Sequence, residues 1–357
     1  MSEAIADFAV FGSTPLAGLV AGLLAQRHQA KVIAVGEGPT RYRLPRMLDL
    51  SVAAITRPET WAVLTATVPE TARFIGRLAG RQAIRRVDPI FFADSAAAKE
   101  SLGHFAHMAR GFGQSLEAVP NTRLGAGRNG YRLIDAMIID RAAFEPSLEA
   151  WLAGQAVRYK ASQAIEMTPE GSAQVHIDGA VIEARQVVLI DDAAIIEYLP
   201  PALWPALLLR QARSTILTVS NRRMAGPLML DVETGTMLLQ HEEDSLVATG
   251  PGRLAQLSAR LTRLVSNSGQ LQQAGQVGFE GLMTLDGAPL LGQTMNKGPI
   301  FLTGLGSLGA FLAPMLARWI AGEASSEELE WCQTRRPDRQ GRHQAIAEYA
   351  GREEHAA

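Results

Sequence analysis

The amino-acid sequence predicts an α/β fold: a discontinuous Rossmann-like domain with a parallel sheet, and an inserted mixed-sheet α+β domain. The chain opens with two apolar runs, at residues 8–11 and 31–35, on either side of a helical Leu and Ala repeat over residues 15–26. Two buried strands joined by a helix are typical of a parallel sheet. Further buried strand-like runs at 187–190 and 300–303 lie far along the chain. We therefore expect the parallel sheet to be assembled from separated segments.

The composition is that of a folded chain without a strong charge bias. Of the 357 residues, 47% are hydrophobic and 20% are charged, and the formal net charge is −2. These values exclude global disorder and give no sign of a nucleic-acid-binding surface. Cys332 is the only cysteine, so we expect no internal disulfide and no metal site. The uncharged stretch 298–317 contains glycines and prolines that favour strand, turn and helix over a membrane span, and we expect a cytoplasmic protein.

The remaining elements alternate between helical and strand-like patterns. Residues 61–113 are predicted to be mostly helical, and a second amphipathic helix is predicted over 141–154. Short alternating strands are predicted between 157 and 177, and again between 214 and 249, before a helix over 252–265.

These patterns lead to predicted domain boundaries. The Rossmann-like domain is predicted to comprise residues 1–48, 120–200 and 278–330. The inserted domain has a helical part, 49–119, and a strand-rich part, 201–277. Residues 331–357 are polar and charged, and we expect them to form a solvated C-terminal tail.

The turn between the first strand and the first helix is a candidate phosphate-binding turn. It comprises Gly12, Ser13, Thr14, Pro15, Leu16, Ala17 and Gly18. Phosphate binding requires close backbone approach and free amides at a helix start, where the helix dipole is positive. The first glycine permits a sharp exit from the strand, the hydroxyl residues offer caps and donors, and proline suits the first helical turn. Because the turn is one residue longer than G-x-G-x-x-G and lacks the middle glycine, an ordinary strand-to-helix turn is the alternative.

Charged residues after the second strand extend this candidate site. Glu37 lies near the position from which an acidic side chain accepts hydrogen bonds from ribose hydroxyls. In the following loop, Arg46 is the preferred member of a basic group with Arg41 and Arg43. Such a group would neutralise a pyrophosphate or receive an anionic substrate. Solvated loop side chains are the alternative interpretation.

A second glycine-rich junction lies near the C-terminus. Asp286 begins the segment Asp-Gly-Ala-Pro-Leu-Leu-Gly, and the predicted strand at 300–303 follows it. An apolar helix is then opened by Gly304, Leu305, Gly306, Ser307, Leu308 and Gly309. This junction again supplies free amides at a helix N-terminus. A turn without a ligand is the alternative, because glycine also serves ordinary turns.

This order of segments resembles the superfamily of FAD-dependent D-amino-acid oxidases, glycine oxidases and sarcosine oxidases. Members of that superfamily tend to end with an acidic-Gly-x-Pro-x-x-Gly segment, a strand and a glycine-rich helix start, as this chain does. The resemblance implies an extended FAD, with adenine near Glu37 and Ile165 and pyrophosphate at Ser13–Ala17. The isoalloxazine would lie beneath Gly306–Gly309, where a helix N-terminus would stabilise developing negative charge, and Asp286 would belong to the same cofactor site.

The resemblance extends over about residues 5–325, and this chain departs from the superfamily pattern at two places. Relatives often place an arginine shortly before the acidic-Gly segment to hold a substrate carboxylate, whereas residues 278–284 contain none. Asp191 and Asp192 also follow the returning strand, where relatives commonly have small residues.

The resemblance implies an FAD-dependent oxidoreductase that oxidises a C–N bond of a small amine or amino-acid-like substrate. A hydride would pass from the substrate carbon to flavin N5, water would hydrolyse the resulting imine, and oxygen or a partner acceptor would reoxidise the flavin. Gln240 and His241 are candidate substrate contacts in the inserted domain, with a plain polar hairpin as the alternative. No catalytic acid or base is assigned.

Two other functions are left open by the residues. One is a flavin monooxygenase or halogenase-like enzyme, including one that modifies another protein, because the carboxylate-binding arginine is missing. The other is a flavin-binding or flavin-free subunit that is inactive without its partner, because the first glycine turn is altered. We expect no nucleic-acid partner.

Overall fold

The computed structural model describes residues 4–36, 44–155, 157–159, 165–177, 180–219, 224–241, 245–265, 271–293, 297–339 and 348–349. Among these residues the α-helices are α1 Pro15–Arg27, α2 Pro58–Ala79, α3 Ala96–Gly111, α4 Asn121–Leu124, α5 Arg141–Gln155, α6 Asp192–Tyr198, α7 Leu254–Val265, α8 Gly309–Ala321 and α9 Ser326–Gln333.

The strands fall into two larger sheets and one two-stranded sheet. In the first half of the chain they are β1 Ala4–Phe11, β2 Val32–Val35, β3 Ile84–Val87, β4 Ile90–Ala93, β5 Leu116–Ala118, β6 Asn129–Leu133, β7 Ala136–Ile139, β8 Val157–Tyr159 and β9 Ile165–Met167. In the second half they are β10 Ala173–Ile177, β11 Ala180–Ile190, β12 Leu208–Val219, β13 Leu228–Asp231, β14 Met237–His241, β15 Ser245–Pro251, β16 Gln272–Thr284, β17 Leu290–Gln293 and β18 Ile300–Thr303.

The first sheet confirms the predicted Rossmann-like arrangement. Its strand order is β17-β18-β11-β1-β2-β8, and β10 and β9 extend it from β11. Strands β18, β11, β1, β2 and β8 run parallel to their neighbours in this series. Strands β17 and β10 are antiparallel to their partners. Strands from the beginning, middle and end of the chain therefore lie side by side, as the separated apolar runs predict.

Helix α1 is buried along most of its length and contacts both α5 and α8. A Cβ atom at Gly18 would lie 2.9 Å from Leu148 of α5, and one at Gly22 would lie 2.2 Å from Trp151. Close-packed interiors have no room for such atoms. The glycines of α1 therefore allow the helix to pack closely against α5 while its first turn faces α8.

The second sheet confirms the predicted mixed sheet. Its strand order is β16-β12-β15-β14-β13-β4-β6-β5. Strands β13 and β4 run parallel, whereas the other neighbours run antiparallel. Strand β6 differs from the predicted boundaries, which place residues 120–200 in the Rossmann-like domain. It lies in the second sheet because Tyr131 pairs with Phe91 of β4.

The uncharged stretch 298–317 forms strand β18, a short turn and the greater part of α8. The side chains of Phe311, Leu312 and Leu316 are fully buried in the hydrophobic core. Apolar burial within the protein therefore accounts for the composition of this stretch. No described helix is both long enough and apolar enough to cross a bilayer.

The C-terminal segment is not the solvated tail that its charge predicts, where the structure describes it. Arg335 and Glu348 are 1% and 0% exposed, and Trp331 is also buried. The guanidinium group of Arg335 donates to both carboxylate oxygens of Glu348, at 3.1 and 2.9 Å, and to the hydroxyl of Thr60 at 2.9 Å. The sequence expectation is wrong here because the two charges neutralise each other inside the protein.

We expect Glu348→Ala to destabilise the fold by about 3–5 kcal/mol, because it leaves the buried Arg335 charge with only the more distant carboxylate of Glu59, at 3.7 Å. Asp338→Ala is the matched control, since it breaks the exposed ion pair with Arg336 at 3.0 Å and is expected to cost less than about 1 kcal/mol. Urea denaturation of the two variants measures the difference. Equal losses would contradict the structural role assigned to the buried pair.

Candidate cofactor and substrate site

The first turns of α1 and α8 lie against each other. A Cβ atom at Gly309 would lie 3.1 Å from the Cδ2 atom of Leu16, so the two helices meet where both begin. Neither helix has an acidic residue in its first turn. The positive ends of the two helix dipoles are therefore brought together at one edge of the first sheet.

The turn before α1 is formed by very close backbone approach. A Cβ atom at Gly12 would lie 2.0 Å from the carbonyl oxygen of Ile190, and one at Gly36 would lie 2.2 Å from the carbonyl oxygen of Gly12. The Gly12 amide also donates to the Val35 carbonyl at 2.9 Å. These contacts join the ends of β1, β2 and β11, so glycine is required at both positions.

The amides at the start of α1 are only partly used within the turn. The Thr14 hydroxyl caps the helix by accepting from the Ala17 amide at 3.4 Å. Pro15 and Leu16 are buried, whereas Ser13 is exposed to solvent. A cavity of about 10 Å³ lies beside Gly12 and Gly18, which is room for one water molecule. The outer, Ser13 side of the turn is therefore the side that is open to solvent.

Asp191 lies directly on this turn. Its Oδ2 atom accepts a hydrogen bond from the Ser13 amide at 2.8 Å, and its Oδ1 atom accepts one from the Ala194 amide at 2.9 Å. The backbone of Asp191 has a φ of 102°, in the region that favours glycine. The carboxylate therefore connects the end of β11 with the starts of both α1 and α6.

Burial raises the pKa of Asp191 from 3.8 to about 6. The hydrogen bonds from the Ala194 and Ser13 amides oppose this shift, as does the positive charge of Arg46, whereas the neighbouring Asp192 adds to it. The residue as a whole is partly exposed. The carboxyl group therefore changes its protonation state near pH 6.

Asp192 joins the two sheets. Its Oδ1 atom accepts from the Thr303 hydroxyl at 2.8 Å at the end of β18, and its Oδ2 atom accepts from the Leu282 amide at 2.9 Å in β16. Two acidic residues that follow one another in the sequence thus have different surroundings. Asp191 faces the first helix turn, and Asp192 holds the Rossmann-like sheet to the mixed sheet.

The segment after residue 44 connects the mixed sheet with the second helix opening. The Thr215 hydroxyl donates to the Pro45 carbonyl at 2.7 Å, and the Thr249 hydroxyl donates to the Arg46 carbonyl at 3.4 Å. Both threonines are fully buried. This anchoring places the guanidinium group of Arg46 5.5 Å from the centre of the Phe279 ring on β16, a cation–π contact.

The same segment then reaches the glycine-rich junction. The Leu50 amide donates to the Ser307 carbonyl at 2.9 Å, and the Ser307 hydroxyl donates to the Val52 carbonyl at 3.4 Å. Gly304 and Gly306 have φ values of 74° and 57°. A Cβ atom at Gly306 would have no neighbour within 4 Å among the described residues, so this turn presents an open backbone surface beside the buried Leu308.

Other predicted site residues have separate partners. Asp286 accepts two hydrogen bonds from Arg339, at 2.7 and 2.8 Å, and thereby holds the C-terminal segment. Ile165 lies on β9 and packs against buried apolar residues of the first sheet, including Val175. Glu37 lies outside the described residues, as do Arg41 and Arg43.

Gln240, a predicted substrate contact, lies near the end of strand β14. Its side chain accepts from the Met224 amide at 3.4 Å and donates to the Ser245 carbonyl at 3.1 Å, so it holds one end of the β14–β15 hairpin. Thr249, which contacts the Arg46 segment, pairs with Met237. Gln240 lies three residues further along β14, about 10 Å away. The backbone of His241 pairs with Ser245, and its side chain lies outside the description.

Sequence reasoning missed the anchoring hydroxyls of Thr215, Thr249 and Thr303. One signal was present, since Thr215 and Thr249 lie in the segment 214–249 that is predicted to form short strands, where a buried position normally carries an apolar residue. Their partners are backbone carbonyls and a carboxylate far away in the sequence, which no local pattern indicates. Among the described residues there is no group of three or more His, Cys, Asp or Glu side chains placed to hold a metal ion.

Comparison with known proteins yields similarity in structure rather than in sequence. No protein-family model matches the chain, and no curated protein matches it. Glycine oxidase from Geobacillus kaustophilus has a TM-score of 0.68 at 15% identity, with 90% of this chain and 96% of that chain covered. L-amino acid deaminase from Proteus vulgaris has a TM-score of 0.70 at 13% identity, with coverages of 95% and 98%. L-proline dehydrogenase from P. horikoshii has a TM-score of 0.69 at 13% identity, with coverages of 94% and 98%.

The chain therefore has the fold of amino-acid oxidases and dehydrogenases, and it spans nearly the full length of these structures. The resemblance stated from the sequence is confirmed at the level of the fold. At identities of 13–15% this similarity shows the fold alone, and the function depends on the residues of the chain's own site.

We expect Asp191→Asn to change how stability depends on pH. The folded state raises the pKa of Asp191, so the stabilisation linked to this carboxyl is complete below the unfolded pKa and is lost as pH rises through about 6. Between pH 4 and pH 7.5 the unmodified protein should lose on the order of 2 kcal/mol relative to the variant. Urea denaturation at each pH measures this difference. Glu197→Gln, at an exposed position of α6, is the control, and a parallel pH profile for Asp191→Asn would contradict the assignment.

Proposed function

We propose that the chain is an FAD-dependent oxidoreductase that oxidises a C–N bond of a small amine or amino-acid-like substrate. The observation that carries this proposal is the meeting of two helix N-termini, at Leu16 and Gly309, at one edge of the parallel sheet. Ligands of such folds bind at the carboxyl ends of the strands. The fold shared with glycine oxidase, L-amino acid deaminase and L-proline dehydrogenase supports the same reaction class.

The residues around the two helix openings fit an extended dinucleotide, with Asp191 as the exception. The exposed Ser13 and the Thr14 hydroxyl offer donors for a pyrophosphate at a positive helix end. The open backbone at Gly306 leaves room for a flat ring beside α8. When bound, FAD would supply the acceptor for a hydride from the substrate carbon. The protein would supply binding, orientation and electrostatic stabilisation. Ile165 and Glu37 remain the residues proposed to contact the adenosine part of FAD.

Arg46 is the residue we propose to receive a substrate carboxylate. The stretch 278–284 contains no arginine, but the Arg46 guanidinium lies over Phe279 in this stretch, from a different segment of the chain. Its side chain is exposed, and its backbone is held by two buried threonines. A planar guanidinium fixed in this way suits bidentate binding of a carboxylate.

The proposed function is tested with purified protein and FAD. We expect a flavin absorption band after reconstitution, and we expect an amine or amino acid to bleach it in the absence of oxygen. A panel of amines, amino acids and N-substituted amino acids identifies the substrate class. Bleaching by NADPH alone would contradict the proposal and favour a monooxygenase.

We expect Arg46→Gln to raise KM for substrates that carry a carboxylate by roughly tenfold or more, because a charge-assisted hydrogen bond is lost. The KM for neutral amines should change much less. Arg210→Gln is the matched control, because Arg210 also stacks on an aromatic ring, Trp204, at 5.2 Å. Equal increases in KM for both substrate classes would contradict the assigned role of Arg46.

A second candidate function is a subunit that binds no flavin and acts only with a partner. One observation favours it: the Ser13 amide already has the Asp191 carboxylate as an acceptor. A colourless protein that takes up no FAD at any pH would support this candidate over the oxidoreductase.

A further inference from the structure

Asp191 lies where the proposed function requires an anion to bind. Its Oδ2 atom is 2.8 Å from the backbone nitrogen of Ser13, an exposed residue in the turn before α1. A carboxylate oxygen and a phosphate oxygen are both acceptors that a helix N-terminus attracts. The Ser13 amide has one proton, so it cannot make a full hydrogen bond to both.

We propose that Asp191 is an internal competitor of the FAD pyrophosphate for the Ser13 amide and that it sets the affinity of this chain for FAD. The inference rests on the proposed function, because it takes FAD as the ligand of the two helix openings. It assigns a role in cofactor affinity to a residue outside the predicted binding turn.

The backbone holds the carboxylate in place. Asp191 has a φ of 102°, a conformation that is unfavourable for residues other than glycine. Two hydrogen bonds, from the Ser13 and Ala194 amides, accompany this conformation. A Cβ atom at Gly12 would lie 3.1 Å from Oδ2 of Asp191, so the carboxylate is packed closely against the glycine turn. The Asp191 carboxylate therefore occupies the Ser13 amide in the structure as it stands.

The charged groups around Asp191 predict that the affinity for FAD depends on pH. Among the described residues, the neighbouring Asp192 carboxylate raises the pKa of Asp191 and the positive charge of Arg46 lowers it. The diester phosphates of FAD stay ionised over the accessible pH range, so an ionised Asp191 repels them. With a pKa of about 6, roughly one Asp191 in a hundred is protonated at pH 8. Apparent affinity falls with the fraction of molecules in the binding-competent state.

Quenching of FAD fluorescence measures the dissociation constant at pH 8 and pH 5.5. For the unmodified protein we expect binding at least tenfold tighter at pH 5.5. Asp191→Asn removes the charge, and Asp191→Gly also removes the side chain while suiting the positive φ. We expect both variants to bind FAD at least tenfold tighter than the unmodified protein at pH 8, with little dependence on pH. Glu197→Gln removes one charge from the exposed face of α6 and should leave binding unchanged.

The outcomes separate this inference from the proposed function. Tighter binding by both Asp191 variants, with the pH dependence lost, supports the inference. If the unmodified protein binds FAD tightly at both pH values and the variants match it or bind more weakly, Asp191 is no competitor and the inference fails, while the proposed function stands. If no variant binds FAD at either pH, the proposed function fails and the inference falls with it.

Discussion

The contact between the first turns of α1 and α8 is the constraint on which the rest of the site depends. Strands β1 and β18 both run parallel to β11, which lies between them. The helices that follow these strands therefore begin at the same edge of the sheet. Leu16 and Gly309 approach so closely that a Cβ atom at 309 would require the Leu16 side chain to shift by a few tenths of an ångström. Two positive helix ends are thus held together by packing, and an anionic ligand or a carboxylate has to balance them.

The carboxylate of Asp191 supplies such a negative charge at the start of α1. This carboxylate accepts from the Ser13 amide, and the positive charge of Arg46 acts on it. The neighbouring Asp192 accepts hydrogen bonds from β18 of the first sheet and from β16 of the second. The arrangement stabilises the turn but places a negative charge where a pyrophosphate would bind. In such a site the affinity for a cofactor and the stability of the empty turn oppose each other.

Much of the fold could be predicted from the sequence. The apolar runs at the start, middle and end predict the parallel sheet, and the glycines and prolines of residues 298–317 predict the turn before α8. The partners of polar residues could not be predicted, because the contacts of Thr215, Asp192 and Arg335 lie far away in the sequence. Arg335 shows the limit clearly, since a charged residue in a polar segment indicates solvent, whereas its carboxylate partner allows full burial. Asp191 could be recognised as unusual for its position, but its contact with Ser13 required the structure.

A crystal structure of the unmodified protein grown with FAD at pH 5.5 tests the central claim most directly. The account predicts phosphate oxygens within hydrogen-bond distance of the Ser13 amide and the flavin ring beside Gly306. Well-ordered FAD at another place on the molecule, with the two helix openings closed over by their own side chains, would contradict it.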